Sequence, residues 1–221
     1  MTSVGLMLPS DAPDDGAKEG DALAPLADER LTSGVRPTPA HPDAEALARA
    51  HLDGGDRRAA IAVLARAHGP SLGRLCFAML GRKEDADEAA QESLLALYDG
   101  LVDYRAEGSL RAYLFGIARR ICARRIEVRT RQARRGRLLT PIDETTTPSD
   151  DDPARALECA RVRDALETLR PTEREALLLR FEGELPFREV AIACGIEEPA
   201  ARQRVSRALA LLRTRLSDGE T

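Results

Sequence analysis

The sequence predicts an all-α protein, built as two small helical domains joined by a flexible acidic linker and preceded by a disordered N-terminal tail. Three observations predict it. Apolar residues recur at helical spacing over about 56–135 and again over 153–217, and no alternating pattern marks a strand. Between these blocks, GRLLTPIDETTTPSDDD (136–152) holds prolines, threonines and acids with little to bury. Residues 1 to about 43 are rich in Pro, Asp, Gly and Ala and show no sustained period. The expected organisation is a mostly disordered extension over 1–55, a helical domain over 56–135, the linker over 136–152 and a second helical domain over 153–217.

Each element has its own signal. A first helix begins near Pro42 or Asp43 and fades at Gly54-Gly55. The pattern from Asp56 onward breaks at Gly69-Pro70, near Gly81-Arg82 and around 100–108, which gives three or four helices. After the linker, Asp152 can cap a helix with Pro153 in its first turn, running to Leu169. Pro171 breaks it. Thr172 with Glu175 forms a capping-box pattern ahead of EREALLLRF, and Gly183 ends that helix.

Composition narrows the classes of function. The 221 residues are 43% hydrophobic and carry a net charge of −4, so the chain is not basic throughout. Charge is nevertheless segregated. Residues 111–137 hold ten arginines against Glu127, whereas residues 1–50 hold nine acids against four bases and residues 143–152 hold five acids and no base. Positive segments can approach phosphates while the whole remains soluble. Cys76, Cys122, Cys159 and Cys194 are widely spaced beside apolar stretches, with no CxxC and no metal-ligand spacing to His41, His51 or His68. They read as reduced, small, buried apolar residues. Without an eighteen-residue apolar run or an export signal, a cytoplasmic protein with no membrane insertion is expected.

Residues 186–215, PFREVAIACGIEEPAARQRVSRALALLRTR, read as a helix-turn-helix. Ala191 allows a close helix crossing and Gly195 the turn, with Val190, Cys194 and Ile196 as the apolar seam. Pro199 suits the first turn of the second helix. There Ala201, Val205, Ala208 or Leu209, and Leu212 recur at helical spacing, leaving Arg202, Gln203, Arg204, Ser206 and Arg207 to point outward. Such a face suits the major groove. The alternative is a helical hairpin with a solvated basic face.

Two further stretches matter. In DADEAAQESLLALYDGL (85–101), Ala86, Ala90, Leu94, Leu97 and Leu101 line one face and Asp87, Glu88, Gln91 and Glu92 another. In GSLRAYLFGIARRICARRIEVRTRQARR (108–135), Leu110, Tyr113 or Leu114, Ile117 and Ile121 bury one face, while Arg111, Phe115 and Arg119 stand on the flank beyond it. After Ile121 the stripe fails, so the helix is expected to run past its own core. An exposed aromatic among arginines can stack on an unpaired base while guanidinium groups hold the strand.

In order, the apolar helix ending in LG (66–81), EDADEAAQESLLALYDGL, DYRAEGSLRAYLFGIARR, LRPTEREALLLRFEGELPFREVAIACGI and ARQRVSRALALLR resemble the extracytoplasmic-function group of bacterial RNA polymerase sigma factors, over about residues 56–216. The resemblance implies a sigma region 2 domain that docks on polymerase and opens the minus-ten element, and a region 4 domain that reads the minus-thirty-five element. Asp87, Gln91 and Glu92 match the face set against the clamp helices of the largest polymerase subunit. Tyr104, Arg105 and Ser109 fall where a flipped base is held, and Arg111, Tyr113, Phe115 and Arg119 match the helix engaging the separated strand. Arg202, Gln203, Arg204 and Arg207 match the recognition helix, with Arg213 added here as a phosphate contact. Implied partners are polymerase core and promoter DNA; an anti-sigma factor is an open third.

Three departures stand out. Arg120 replaces a common Asn, no tryptophan is available for stacking, and Pro199-Ala200 replaces the usual Gly-Thr. No consensus promoter transfers. No catalytic triad, phosphate loop or HExxH occurs, so no enzyme activity, no metal or other cofactor and no small-molecule substrate is expected. The rival reading, a helix-turn-helix regulator that does not replace a sigma factor, leaves the arginine-rich helix at 108–135 unexplained.

Overall fold

A computed structural model describes residues 42–104, 108–135 and 153–217. The tail before residue 42, the acidic linker at 136–152 and the expected Asp152 cap lie outside the described residues, as does Arg105. Among the described residues the protein is all-α: α1 (Pro42–Asp53), α2 (Arg57–Leu80), α3 (Lys83–Gly100), α4 (Leu110–Arg134), α5 (Pro153–Glu167), α6 (Pro171–Phe181), α7 (Phe187–Cys194) and α8 (Glu198–Ser217).

Helix α2 is the axis of the first unit, with α1, α3 and α4 packed around it. Asp56 starts it by accepting a hydrogen bond from the Ala59 N–H at 2.9 Å. The break expected at Gly69-Pro70 does not occur, and α2 runs straight through Pro70. A proline inside a helix costs about 3 kcal/mol. Here Pro70 sits on the exposed side, while Leu64, Leu72, Leu75 and Cys76 are fully buried on either side of it. Each such leucine returns roughly 1.5–3 kcal/mol, so packing outweighs the local penalty.

Helix α3 buries Ala86, Ala89, Ser93 and Leu97, with Ala90 and Leu94 half-buried beside them. Ser93 can lie in the core because its hydroxyl donates to the Ala89 carbonyl at 2.6 Å. Helix α4 begins at Ser109, whose Oγ accepts from the Ala112 N–H at 2.9 Å. Glu45 of α1 completes that start, its carboxylate accepting from the N–H groups of Leu110 (2.8 Å) and Arg111 (3.3 Å). A carboxylate there satisfies orphan donors and complements the helix dipole. Residues 127–135 are exposed, so α4 does outrun its core.

In the second unit, α6 and α7 pack against α8, and α5 also lies on α8. The expected capping box does not form. Pro171 opens α6 with Arg170 as a cap that makes no side-chain bond, which places Thr172 inside the first turn and frees Glu175 for another partner. Gly195, at φ +68°, ends α7 in the left-handed conformation that glycine adopts without steric cost.

The buried side chains of the two units form one continuous core, in which Leu166, Leu169, Leu178 and Leu185 join the apolar residues of α2 and α4. Helices α4 and α7 cross where Gly116 meets Ala193: a Cβ at Gly116 would lie 3.5 Å from that of Ala193. No described helix is long and apolar enough to cross a membrane.

Candidate nucleic-acid interface

The helix-turn-helix is built as its spacing predicts. Val190 and Ala191 are buried on α7, and Ala201, Val205 and Ala208 on α8, with Cys194, Ile196, Leu209 and Leu212 half-buried at the seam. Arg202, Gln203, Arg207 and Arg213 are exposed. Arg202 lies over the Phe187 ring, 4.6 Å from its centre, and pairs with Glu198 one turn earlier at 2.5 Å. Arg204 is half-buried and so points outward less than expected. Burial raises the pKa of the Cys194 thiol against the lowering effect of Arg119 and Arg204.

On α4 the structure departs from expectation. Phe115 is fully buried instead of standing on the exposed flank. It meets the edge of the His68 ring at 6.4 Å, and the backbone of Gly183 lies over it, close enough that a Cβ there would come within 3.2 Å of its Cδ1. Period alone could not show this, because the covering surface comes from the second unit. Arg111 and Arg119 are covered from the same side. Arg111 Nη2 pairs with Glu184 at 2.7 Å. Arg119 pairs with Glu175 at 2.8 Å and donates from Nε to the Ala193 carbonyl at 3.0 Å. Ser109 donates to Glu189 from its backbone N–H (3.1 Å) and from Oγ (2.9 Å). Farther along the contact, Arg74 pairs with Glu182 at 2.7 Å, and the Arg174 guanidinium donates to the Ala78 carbonyl.

Tyr104 and Tyr113 stack at 5.1 Å between ring centres, and the Tyr104 hydroxyl donates to the Gly108 carbonyl at 2.6 Å. Burial raises the Tyr104 pKa, which keeps the phenol a donor. These rings line a cleft of about 290 Å³ with Asp103, Ser109 and Arg120 on one wall and Ile192 and Ala193 of α7 on the other. Of the candidates for holding the separated strand, Arg111, Phe115 and Arg119 share one side of α4, Tyr104, Ser109 and Tyr113 line the cleft, and Arg105 lies outside the described residues.

The polar face of α3 is open, with Asp87, Gln91 and Glu92 all exposed. Glu92 and Glu88 hold Arg125 of α4, at 2.8 and 3.2 Å. Sequence reasoning missed how this face continues. Leu95 and Val102 are each 68% exposed and Tyr98 is 38% exposed, so the polar face becomes an apolar one toward the end of α3. Leu94 packs inward, as its place on the apolar stripe predicts, and Leu95 beside it is left outside. Cys76 and Cys122 are buried and free and Cys194 is free, while the Cys159 side chain is not among those described. The Cys122 thiol pKa is raised by its hydrogen-bonded neighbour Cys76 and by burial.

The family description "Sigma-70 region 2" matches residues 64–132, and "Sigma-70, region 4" matches residues 159–212. The chain belongs to the sigma-70 family. The sigma factor is 28% identical over 142 residues to the ECF RNA polymerase sigma factor EcfG of Rhodopseudomonas palustris (strain TIE-1), which covers 63% of this chain and 75% of that protein. A solved structure of CnrH in complex with the cytosolic domain of CnrY superposes with a TM-score of 0.59 at 26% identity, over 81% of this chain and all of that one. The sigma factor RpoE of Bartonella quintana, solved with the anti-sigma factor NepR, gives 0.58 at 22% identity over 67% of this chain and 91% of that one. The chain is therefore a member of the ECF group and an alternative sigma factor, a transcription initiation factor that acts with RNA polymerase core on promoter DNA.

Proposed function

We propose that this sigma factor divides its work among three surfaces. The α3 face carrying Asp87, Gln91 and Glu92, extended by Leu95, docks on the clamp helices of the largest polymerase subunit. The edge of α4 with Tyr104, Arg105, Ser109, Arg111, Tyr113, Phe115 and Arg119 holds the separated minus-ten strand. Helix α8 reads the minus-thirty-five element through Arg202, Gln203, Arg204 and Arg207, with Arg213 on phosphate. The observation that carries the reading is the exposed Arg202, Gln203 and Arg207 face, set beyond the Gly195 turn and opposite the buried Ala201, Val205 and Ala208.

No step needs a catalytic residue. Binding energy holds an unpaired strand, with stacking worth roughly 1–3 kcal/mol per base. Two relatives were solved with another chain bound, one of them a named anti-sigma factor. That supports an anti-sigma partner here too, and the expected site of action is the cytoplasm.

Run-off transcription with polymerase core on a library of upstream regions tests the reading. The expected result is initiation from a subset sharing a minus-thirty-five sequence, lost when Asp87 and Gln91 are replaced together. DNA binding with no copurification with core would instead favour an ordinary helix-turn-helix regulator.

A further inference from the structure

Cys76 and Cys122 are both fully buried and both free, and they meet inside the first unit. Cys76 lies on α2 and Cys122 on α4, and their thiols share a hydrogen bond where the two helices pack. Two thiols in mutual contact differ from a lone buried cysteine, because each is the reaction partner that the other needs. Their surroundings divide the roles. The hydrogen bond with Cys122, helped by the nearby Arg125 charge, outweighs burial and holds the Cys76 thiol below its usual range. Cys122 is held above that range by Cys76 and by burial. One sulfur is readied as a nucleophile, and the other keeps its proton.

Arg125 also marks the way in. Its side chain is partly exposed and lines, with Leu80, Ile121 and Val128, an open cleft of about 570 Å³. Ile121 adjoins Cys122 in the chain and Leu80 stands one helical turn beyond Cys76, so the cleft runs beside the pair. An oxidant little larger than water crosses the remaining layer during local opening of the core.

We propose that Cys76 and Cys122 form an oxidisable dithiol, in which hydrogen peroxide drives a disulfide that joins α2 to α4. The Cys76 sulfur attacks one peroxide oxygen, the O–O bond breaks, and the departing hydroxide takes up the proton that Cys76 released. Cys76 is then a sulfenic acid. The Cys122 sulfur attacks the Cys76 sulfur, the S–O bond breaks, and the oxygen leaves as water with the Cys122 proton. Two thiols are oxidised, one peroxide is reduced and two waters are released. The new bond closes a loop of about fifty residues and stabilises the first unit by restricting its unfolded chain. Oxidising conditions thus anchor α4 to α2 reversibly. No step depends on polymerase or promoter, so the site goes beyond the role proposed above.

The full chain, reduced and then treated with a small excess of hydrogen peroxide, tests it. Trypsin releases Cys76 in LCFAMLGR and Cys122 in ICAR, each peptide with a single cysteine. The expected product is these two peptides joined, lighter by two hydrogens and separated by dithiothreitol. Oxidation should raise the thermal midpoint by about 10 °C, and reduction should return it. Cys122→Ser should stop at a Cys76 sulfenic acid that dimedone traps. Cys76→Ser should leave Cys122 unlinked and at least about tenfold slower to react.

Linkage through Cys159 or Cys194 instead would overturn the proposal, as would a Cys76–Cys122 bond that forms only in urea. A thermal midpoint that oxidation leaves unchanged or lowers would overturn it too. If a serine variant does not fold, the wild-type peptide map and midpoint decide alone. Absence of transcription with polymerase core would sink the functional reading and leave this chemistry standing.

Discussion

Helices α4 and α8 are both arginine-rich and both proposed to meet DNA, yet their arginines meet different surroundings. On α4, Arg111 and Arg119 are shielded and paired with carboxylates of the opposite unit. On α8, Arg202, Arg207 and Arg213 are exposed, and Arg202 finds its acid one turn away on its own helix. The amino-acid type is the same in both places. What differs is whether another element of the chain reaches the same side. A charge pair sheltered from water is little screened, whereas an exposed pair on one helix contributes almost nothing. The arginines of α8 thus stay open to solvent, while Arg111 and Arg119 of α4 are covered.

The largest expected effect lies in the apolar part of that cover. Phe115→Ala should destabilise the free protein by about 3–5 kcal/mol, because the ring is fully buried between the units. Arg207→Ala on α8 should stay within about 0.5 kcal/mol of wild type. Urea unfolding of both gives the comparison. A loss below about 1 kcal/mol for Phe115→Ala would mean that the ring is already exposed in solution and that the two helices do not differ as described.

The ion pairs come next. Arg119→Ala leaves Glu175 and the Ala193 carbonyl without their donor, at an expected cost of about 1–3 kcal/mol. Paired with Glu175→Gln in a double-mutant cycle, it should show a coupling of at least about 0.5 kcal/mol. Arg202→Ala with Glu198→Gln on α8 should show less than that. Equal couplings would erase the distinction between a shielded and a solvated arginine.

A comparable energy is expected where α8 meets DNA. If Arg204 reads a guanine edge, Arg204→Ala should cost roughly 1–3 kcal/mol and relax preference at one base. Arg213→Ala should weaken all sequences alike and lower the salt slope by about one. Binding to a randomised minus-thirty-five library at two salt concentrations separates them. An even loss across sequences for Arg204→Ala would move that residue to the phosphate group, in keeping with its half-buried place on α8.

The smallest effect tests the local rule at the turn. Gly195→Ala places a Cβ at φ +68° and should lower the thermal midpoint through a cost of about 1 kcal/mol. No change would show that the turn adapts and that the placement of α8 does not depend on glycine there.

Much of this molecule was legible in its residues. The all-α class, the limits of α1, the overrun of α4 and the buried faces of α7 and α8 follow from helical period, glycine at turns and arginine where a stripe fails. Each depends on neighbours within a few residues, which the sequence displays directly. Three features depended on distant partners. Pro70 stays inside α2 because leucines on both sides are buried by other helices, and Glu175 leaves its expected capping role to pair with Arg119. The fate of Phe115 is the clearest case. Its sequence position, between Arg111 and Arg119, determined that it would share their edge of α4. Only the tertiary structure decided that this edge would be covered, because the covering glycine and the three carboxylates lie more than fifty residues away in the chain and meet α4 only when the second unit folds back on the first.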